Sequence, residues 1–272
     1  MIHVGLIVDT QSWVGKIVGS CSSMAISDFY GRNSHYRTKL VLHTRDSEGD
    51  PLLVLTQENS AGAKTLAELG SRVEIPIIFL FKAGPALSFS EYPCLIQIGE
   101  DEFSRAKGIA TIVEAFASST DEEIIKQLKM LMSLQTSVYV VHTSPVLASR
   151  LFLHVKQLGM ISQGYAWITT DMITNFINSM DPSVIESMQG VVGFKPHIPA
   201  SKELHNFAIR WRSKNLNEDQ SLQEMELNVY GIWTYDMVQA LAKAAESAMA
   251  QHPDIVRHET RLNMNFTDRW LI

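Results

Sequence analysis

An α/β fold built on parallel strands is what this sequence predicts, and three observations predict it. Short apolar runs end in polar turns, each run is followed by apolar residues at helical spacing, and the alternation recurs along the chain. The first run, residues 2–9, is closed by Asp9-Thr10-Gln11-Ser12. Val14, Ile17, Val18, Cys21, Met24, Ala25 and Phe29 then fall at helical spacing, with Ser12 placed to cap the start. Residues 38–44 predict a second strand, ended by the polar turn 45–50, which completes a βαβ unit and therefore a parallel pair. Residues 61–72 read as a helix, and 74–81 as the continuous apolar strand of a sheet covered on both faces.

The pattern continues in the second half. A helix over 101–117 leads through Ser118-Ser119-Thr120 into another over 121–133, where Thr120 and Glu123 have the spacing of a capping box. Then come a strand at 137–142, a helix whose end suits Gly159 as its cap, a strand at 165–169, a loop at 170–175, a strand at 190–195 and a helix at 202–214. The polar stretch 215–226 predicts a linker. A long helix over 229–250 closes the series, with Val229, Ile232, Trp233, Met237, Ala240 and Leu241 on one face.

Composition narrows the function classes. The chain has 272 residues, 46% of them hydrophobic, and a net charge of −6, so it can bury the core of one large domain or two lobes. No cluster of Lys and Arg provides the basic face that nucleic acid or an anionic membrane surface needs. The longest apolar runs, such as 75–81, fall far short of the roughly 18 residues of a membrane-spanning helix. The start of the chain lacks the pattern of a secretory signal. Cys21 and Cys94 make neither a disulfide framework nor a metal-ligand spacing, and Cys21 reads as a small core residue.

Parallel sheets hold their ligands at the carboxyl ends of the strands. The loop containing Gly15-Lys16 lacks the spacing of a phosphate cradle, and no G-x-S-x-G nucleophile turn occurs. His252 and His258 lack the further ligands that zinc requires. Glu100-Asp101-Glu102 and Asp121-Glu122-Glu123 read as helix starts, where negative charge meets the positive end of the dipole. Ser183 and Glu186 after Asp181-Pro182 read the same way. No catalytic residue, cofactor or metal is therefore expected.

Several segments together resemble the amino-terminal domain of plant glutamate-receptor-like channels. They are Val4-Gly5-Leu6-Ile7-Val8-Asp9, Trp13-Val14-Gly15-Lys16-Ile17, Met24-Ala25-Ile26-Ser27-Asp28-Phe29-Tyr30 and Leu42-His43-Thr44-Arg45-Asp46-Ser47. Further along come residues 135–142, Gly159-Met160, residues 164–171 and residues 181–190. The resemblance implies a periplasmic-binding-protein-like (type I) fold of two α/β lobes around a cleft. It divides the chain into 1–117 plus 228–250 for lobe 1, 118–227 for lobe 2, and a divergent tail at 251–272. Against the family pattern, segments are missing between about 55 and 60 and around 117–120, which leaves the fold incomplete.

The resemblance also implies a function: ligand sensing for a ligand-gated, non-selective cation channel, on the extracellular side of the plasma membrane. The implied partners are an amino acid or small peptide and other receptor subunits, without membrane insertion by this chain. A free-standing amino-acid-binding or decoy protein, and a non-functional gene fragment, remain the alternatives. Pocket residues carried over from the family are Lys82 and Ala83 in the first lobe, and His142, Thr143, Thr170 and Asp171 in the second. In this reading Asp171 pairs an α-amino group and Lys82 a carboxylate. The alternative makes Asp171 a helix cap. Asn265-Phe266-Thr267 is a glycosylation sequon if the chain enters the secretory route.

Overall fold

The computed structural model describes residues 1–47, 60–73, 76–79, 91–92, 94–97, 120–133, 137–218, 222 and 225–251. Strand β1 (Ile2–Val8) runs into helix α1 (Trp13–Arg32) and returns as β2 (Leu40–Asp46), giving the expected parallel pair from Ile2↔Leu40 to Val8↔Asp46. Ser12 caps α1 as predicted, its hydroxyl accepting from the Gly15 N–H at 3.0 Å. Helix α2 (Ser60–Val73) follows, then the parallel pair β3 (Ile77–Phe79) and β4 (Leu95–Gln97). The helix predicted over 101–117 lies outside the described residues, as do Glu100-Asp101-Glu102, His252, His258 and the sequon at Asn265.

The third sheet is the best developed. Helix α3 (Asp121–Ser133) starts in the predicted box, with Glu123 Oε2 accepting from the Thr120 N–H at 2.8 Å. Next come β5 (Val138–Val141), α4 (Pro145–Gln157), β6 (Ala166–Thr169), α5 (Asp171–Thr174), α6 (Pro182–Ser187) and β7 (Val192–Gly193). The sheet order is β5-β6-β7, parallel throughout. Helix α4 stops where Gly159 turns to φ +71°, with the Met160 N–H bonded back to Val155 and the Gly159 N–H to Lys156. That pair of bonds satisfies two carbonyls at the helix end. The loop predicted at 170–175 contains a helix instead, because a single turn is too short to show a helical period. The strand predicted at 190–195 keeps only its ladder at Val192 and Gly193.

Of the apolar cores among the described residues, the two largest matter most here. One fills the space between α3, α4 and the third sheet, centred on Phe152, Trp167, Leu128 and Leu147. The other joins Ile17, Cys21 and Met24 of α1 to Phe207 and Trp211 of α7 (Lys202–Glu218), and to Val229 and Tyr230 of α8 (Val229–Gln251). Burial pushes the Cys21 thiol up to about 12, in keeping with an unreactive core position. At Gly231 the crossing is so close that a β-carbon would lie 2.8 Å from Cys21 Sγ and 2.9 Å from Ile17 Cγ2. The stretch 215–226 is not a free linker: α7 runs on to Glu218, and Leu222 and Met225 are buried in this second core.

Candidate functional site

The register of β5 and β6 positions the site. Val141 pairs with Thr169, so both strands end at the same level and the loops that follow leave from one edge. Pro145 and the Ser144 cap start α4 at once after β5, leaving His142 and Thr143 on that edge. After β6 the chain turns into α5 with Thr170 at the cap position, but Thr170 makes no side-chain cap. Its hydroxyl oxygen instead lies 2.8 Å from His142 Nδ1.

Asp171 is therefore not a helix cap; it is the first residue of α5, and its side chain faces inward with 3% of its surface exposed. The Tyr230 phenol donates to Asp171 Oδ2 at 2.8 Å, while Asp171 Oδ1 is buried with no hydrogen-bond partner. Thr143 Oγ1, on the neighbouring loop, is also buried and without a partner. A carboxyl group has more acceptor capacity than the single phenol donor uses. Asp171 Oδ1 is open to a further donor.

Tyr230 is the member that sequence reasoning misses. Asn228 caps α8, its side-chain oxygen accepting from the Tyr230 N–H at 3.1 Å, and so sets Tyr230 at the second helical position. Its ring stacks on Phe176 at 6.0 Å, and Phe176 contacts Trp13 at 5.7 Å. Met172 Sδ lies 3.2 Å from the same phenol oxygen. A tyrosine among apolar residues at a helix start carries no local sign of a carboxylate partner 59 positions away. The structure thus brings His142, Thr143, Thr170 and Asp171 to one sheet edge, whereas Lys82 and Ala83 lie outside the described residues.

A sequence model of the receptor family ligand binding region matches residues 114–269, more than half of the chain, and reaches into the segment set apart above as a tail. Glutamate receptor 1.2 of Arabidopsis thaliana is 35% identical, over 90% of this chain and 35% of its own length. Glutamate receptor 2.9 of the same plant is 29% identical, over 91% of this chain and 32% of its own. The chain spans about a third of the length of these relatives. The first alignment is 304 positions long against a chain of 272 residues, so stretches of the relative have no counterpart here.

Among solved structures, the branched-chain amino acid binding protein LivJ of Streptococcus pneumoniae, in complex with isoleucine, superposes with a TM-score of 0.61. It is 13% identical, and the match covers 90% of this chain and 84% of LivJ. A solute binding protein of an ABC transporter from Rhodopseudomonas palustris, in complex with 3,4-dihydroxybenzoic acid, gives 0.62 at 13% identity, covering 90% and 80%. Both likenesses establish the fold: parallel α/β sheets in the type I, periplasmic-binding-protein-like arrangement. With the family match, they lead to one assignment: the chain belongs to the receptor family ligand binding region, and over about nine-tenths of its length it is similar to plant glutamate receptors.

Proposed function

We propose that this chain senses an amino acid or small peptide for a glutamate-receptor-like, ligand-gated cation channel, on the extracellular side of the plasma membrane. The observation that carries the ligand class is the buried Asp171 carboxylate with an open acceptor at the carboxyl edge of β5 and β6. An α-ammonium group matches it in charge and in donor number, and hydrogen bonds between ions are about twice as strong as neutral ones. Thr143 and Thr170 add hydroxyls on the same edge, and the family resemblance assigns the ligand's carboxylate to Lys82. That the relatives are receptors and a neighbour of like fold holds isoleucine supports this class. Among the described residues no helix is long and apolar enough to cross a membrane.

Helix α7 shares its core with α1 and α8, through Phe207 and Trp211, which supports grouping α7 with α8 in the first lobe. Calorimetric titration of the chain with the standard L-amino acids and short peptides tests the function. At least one ligand binds, and Asp171→Ala weakens it tenfold or more; wild-type affinity in that variant for every ligand overturns the assignment.

A further inference from the structure

We propose that His3 and His43 form a chelating site for a divalent transition-metal ion that favours imidazole, Cu2+ above all. In a parallel ladder paired residues share a face, so His3, Gly5 and Ile7 of β1 stand on one side with Val41, His43 and Arg45 of β2. That side is open: His3, Gly5, Ile7, His43 and Arg45 are exposed. His3 pairs with Val41 and Gly5 with His43, so the two histidines are diagonal neighbours across the ladder. Their rings stack at 5.0 Å between centroids and 27° between planes, and His3 Nδ1 lies 2.7 Å from His43 Nε2. Gly5 leaves room beside them, since a β-carbon there would meet no atom within 4 Å. The site shares no residue with the edge of β5 and β6 and does not rest on the amino-acid reading.

The bond between the rings needs one facing nitrogen protonated and the other bare. Moving that proton to the far nitrogen of its own ring changes no charge and turns both facing nitrogens into metal ligands. At metal–nitrogen distances of about 2.0–2.1 Å, two ligands at a right angle lie about 2.9 Å apart, and two at the tetrahedral angle about 3.3 Å. The 2.7 Å spacing is closer to adjacent corners of a square-planar ion, the geometry of Cu2+ and Ni2+, and Cu2+ leads the affinity series. Among the described residues no third His, Cys, Asp or Glu joins the pair, so water fills the remaining positions and the ion exchanges. A structural zinc, with four protein ligands, is a different kind of site. Arg45 on the same face repels ions held by charge alone, so Ca2+ and Mg2+, which seek oxygen ligands, are rejected. A bound Cu2+ ties β1 to β2 through side chains 40 positions apart in the chain.

Titration of the chain with Cu2+ tests the site, with a few residues placed ahead of Met1 so that the terminal amine adds no ligand next to His3. One ion binds more tightly than any other, and pulsed EPR counts two imidazoles on it. His3→Gln and His43→Gln each weaken its binding tenfold or more, while His205→Gln, on α7, leaves it unchanged. Wild-type affinity in either His3→Gln or His43→Gln overturns the site. So does a tightest ion that carries one imidazole or none, a count that needs only the wild-type chain and therefore decides the matter even where a variant fails to fold.

Discussion

The core beneath the third sheet and the seam between α5 and α8 are built from similar residues and treat their polar groups differently. In the core, the Trp167 indole donates to the Met160 carbonyl at 2.7 Å and the Tyr139 phenol to the Leu131 carbonyl at 3.3 Å. Those side chains are satisfied by local bonds, and the surrounding packing is apolar. In the seam, Asp171 Oδ1 and Asn228 Nδ2 are buried with no partner, and the bond that exists spans two elements far apart in sequence. A satisfied polar group fixes one arrangement, and an unsatisfied one leaves a second arrangement within reach. The first region is closed by local bonds, and the second keeps open polar groups.

Substitutions separate the two. The largest effect belongs to Phe152→Ala, which empties a fully buried site edge-on to Trp167 and costs about 3–5 kcal/mol, read as a drop in the denaturant midpoint at unchanged slope. Gly231→Val forces a side chain into Cys21 and Ile17 and costs about 1–3 kcal/mol. Because it spreads α1 from α8, it disturbs the seam as well, and the accessibility of the Cys21 thiol to alkylation rises with it. At Gly159, whose φ of +71° suits only glycine without strain, alanine costs about 1 kcal/mol and touches neither region's polar groups.

The smallest effect comes from Asp28, which accepts from Tyr235 at 2.6 Å and from Arg210 at 2.7 Å, and so ties α1 to α7 and α8. Burial pushes its carboxyl up, but hydrogen bonds from Tyr235 and Arg210 outweigh burial and hold it below the usual range. A depressed carboxyl stabilises the fold above its unfolded pKa of about 3.9, and the contribution fades as pH falls through the lower folded value. Asp28→Asn is thus less stable than the wild type at neutral pH, by on the order of 1 kcal/mol given the half-exposed Arg210. Urea titrations at several pH values show the gap closing toward about pH 3.

Much of the scaffold was legible from local chemistry. Ser12, Thr120 with Glu123, and Gly159 mark helix ends by donor and backbone geometry that a few neighbouring residues determine. The parallel pairing of β1 and β2 follows from the length of helix between them. Helix α5 escaped because four residues show no period, and Leu222 and Met225 because two anchors in a polar stretch look like a linker. At the site, the edge carrying His142, Thr143, Thr170 and Asp171 was legible from family resemblance. The burial of Asp171 and its bond to Tyr230 were not, since both depend on how α8 packs against α5 and its neighbours, 59 positions away.

A structure of the chain with a bound amino acid tests the central claim most directly. The account predicts the ligand's ammonium nitrogen about 2.7–2.9 Å from a carboxylate oxygen of Asp171. A ligand seated elsewhere contradicts it.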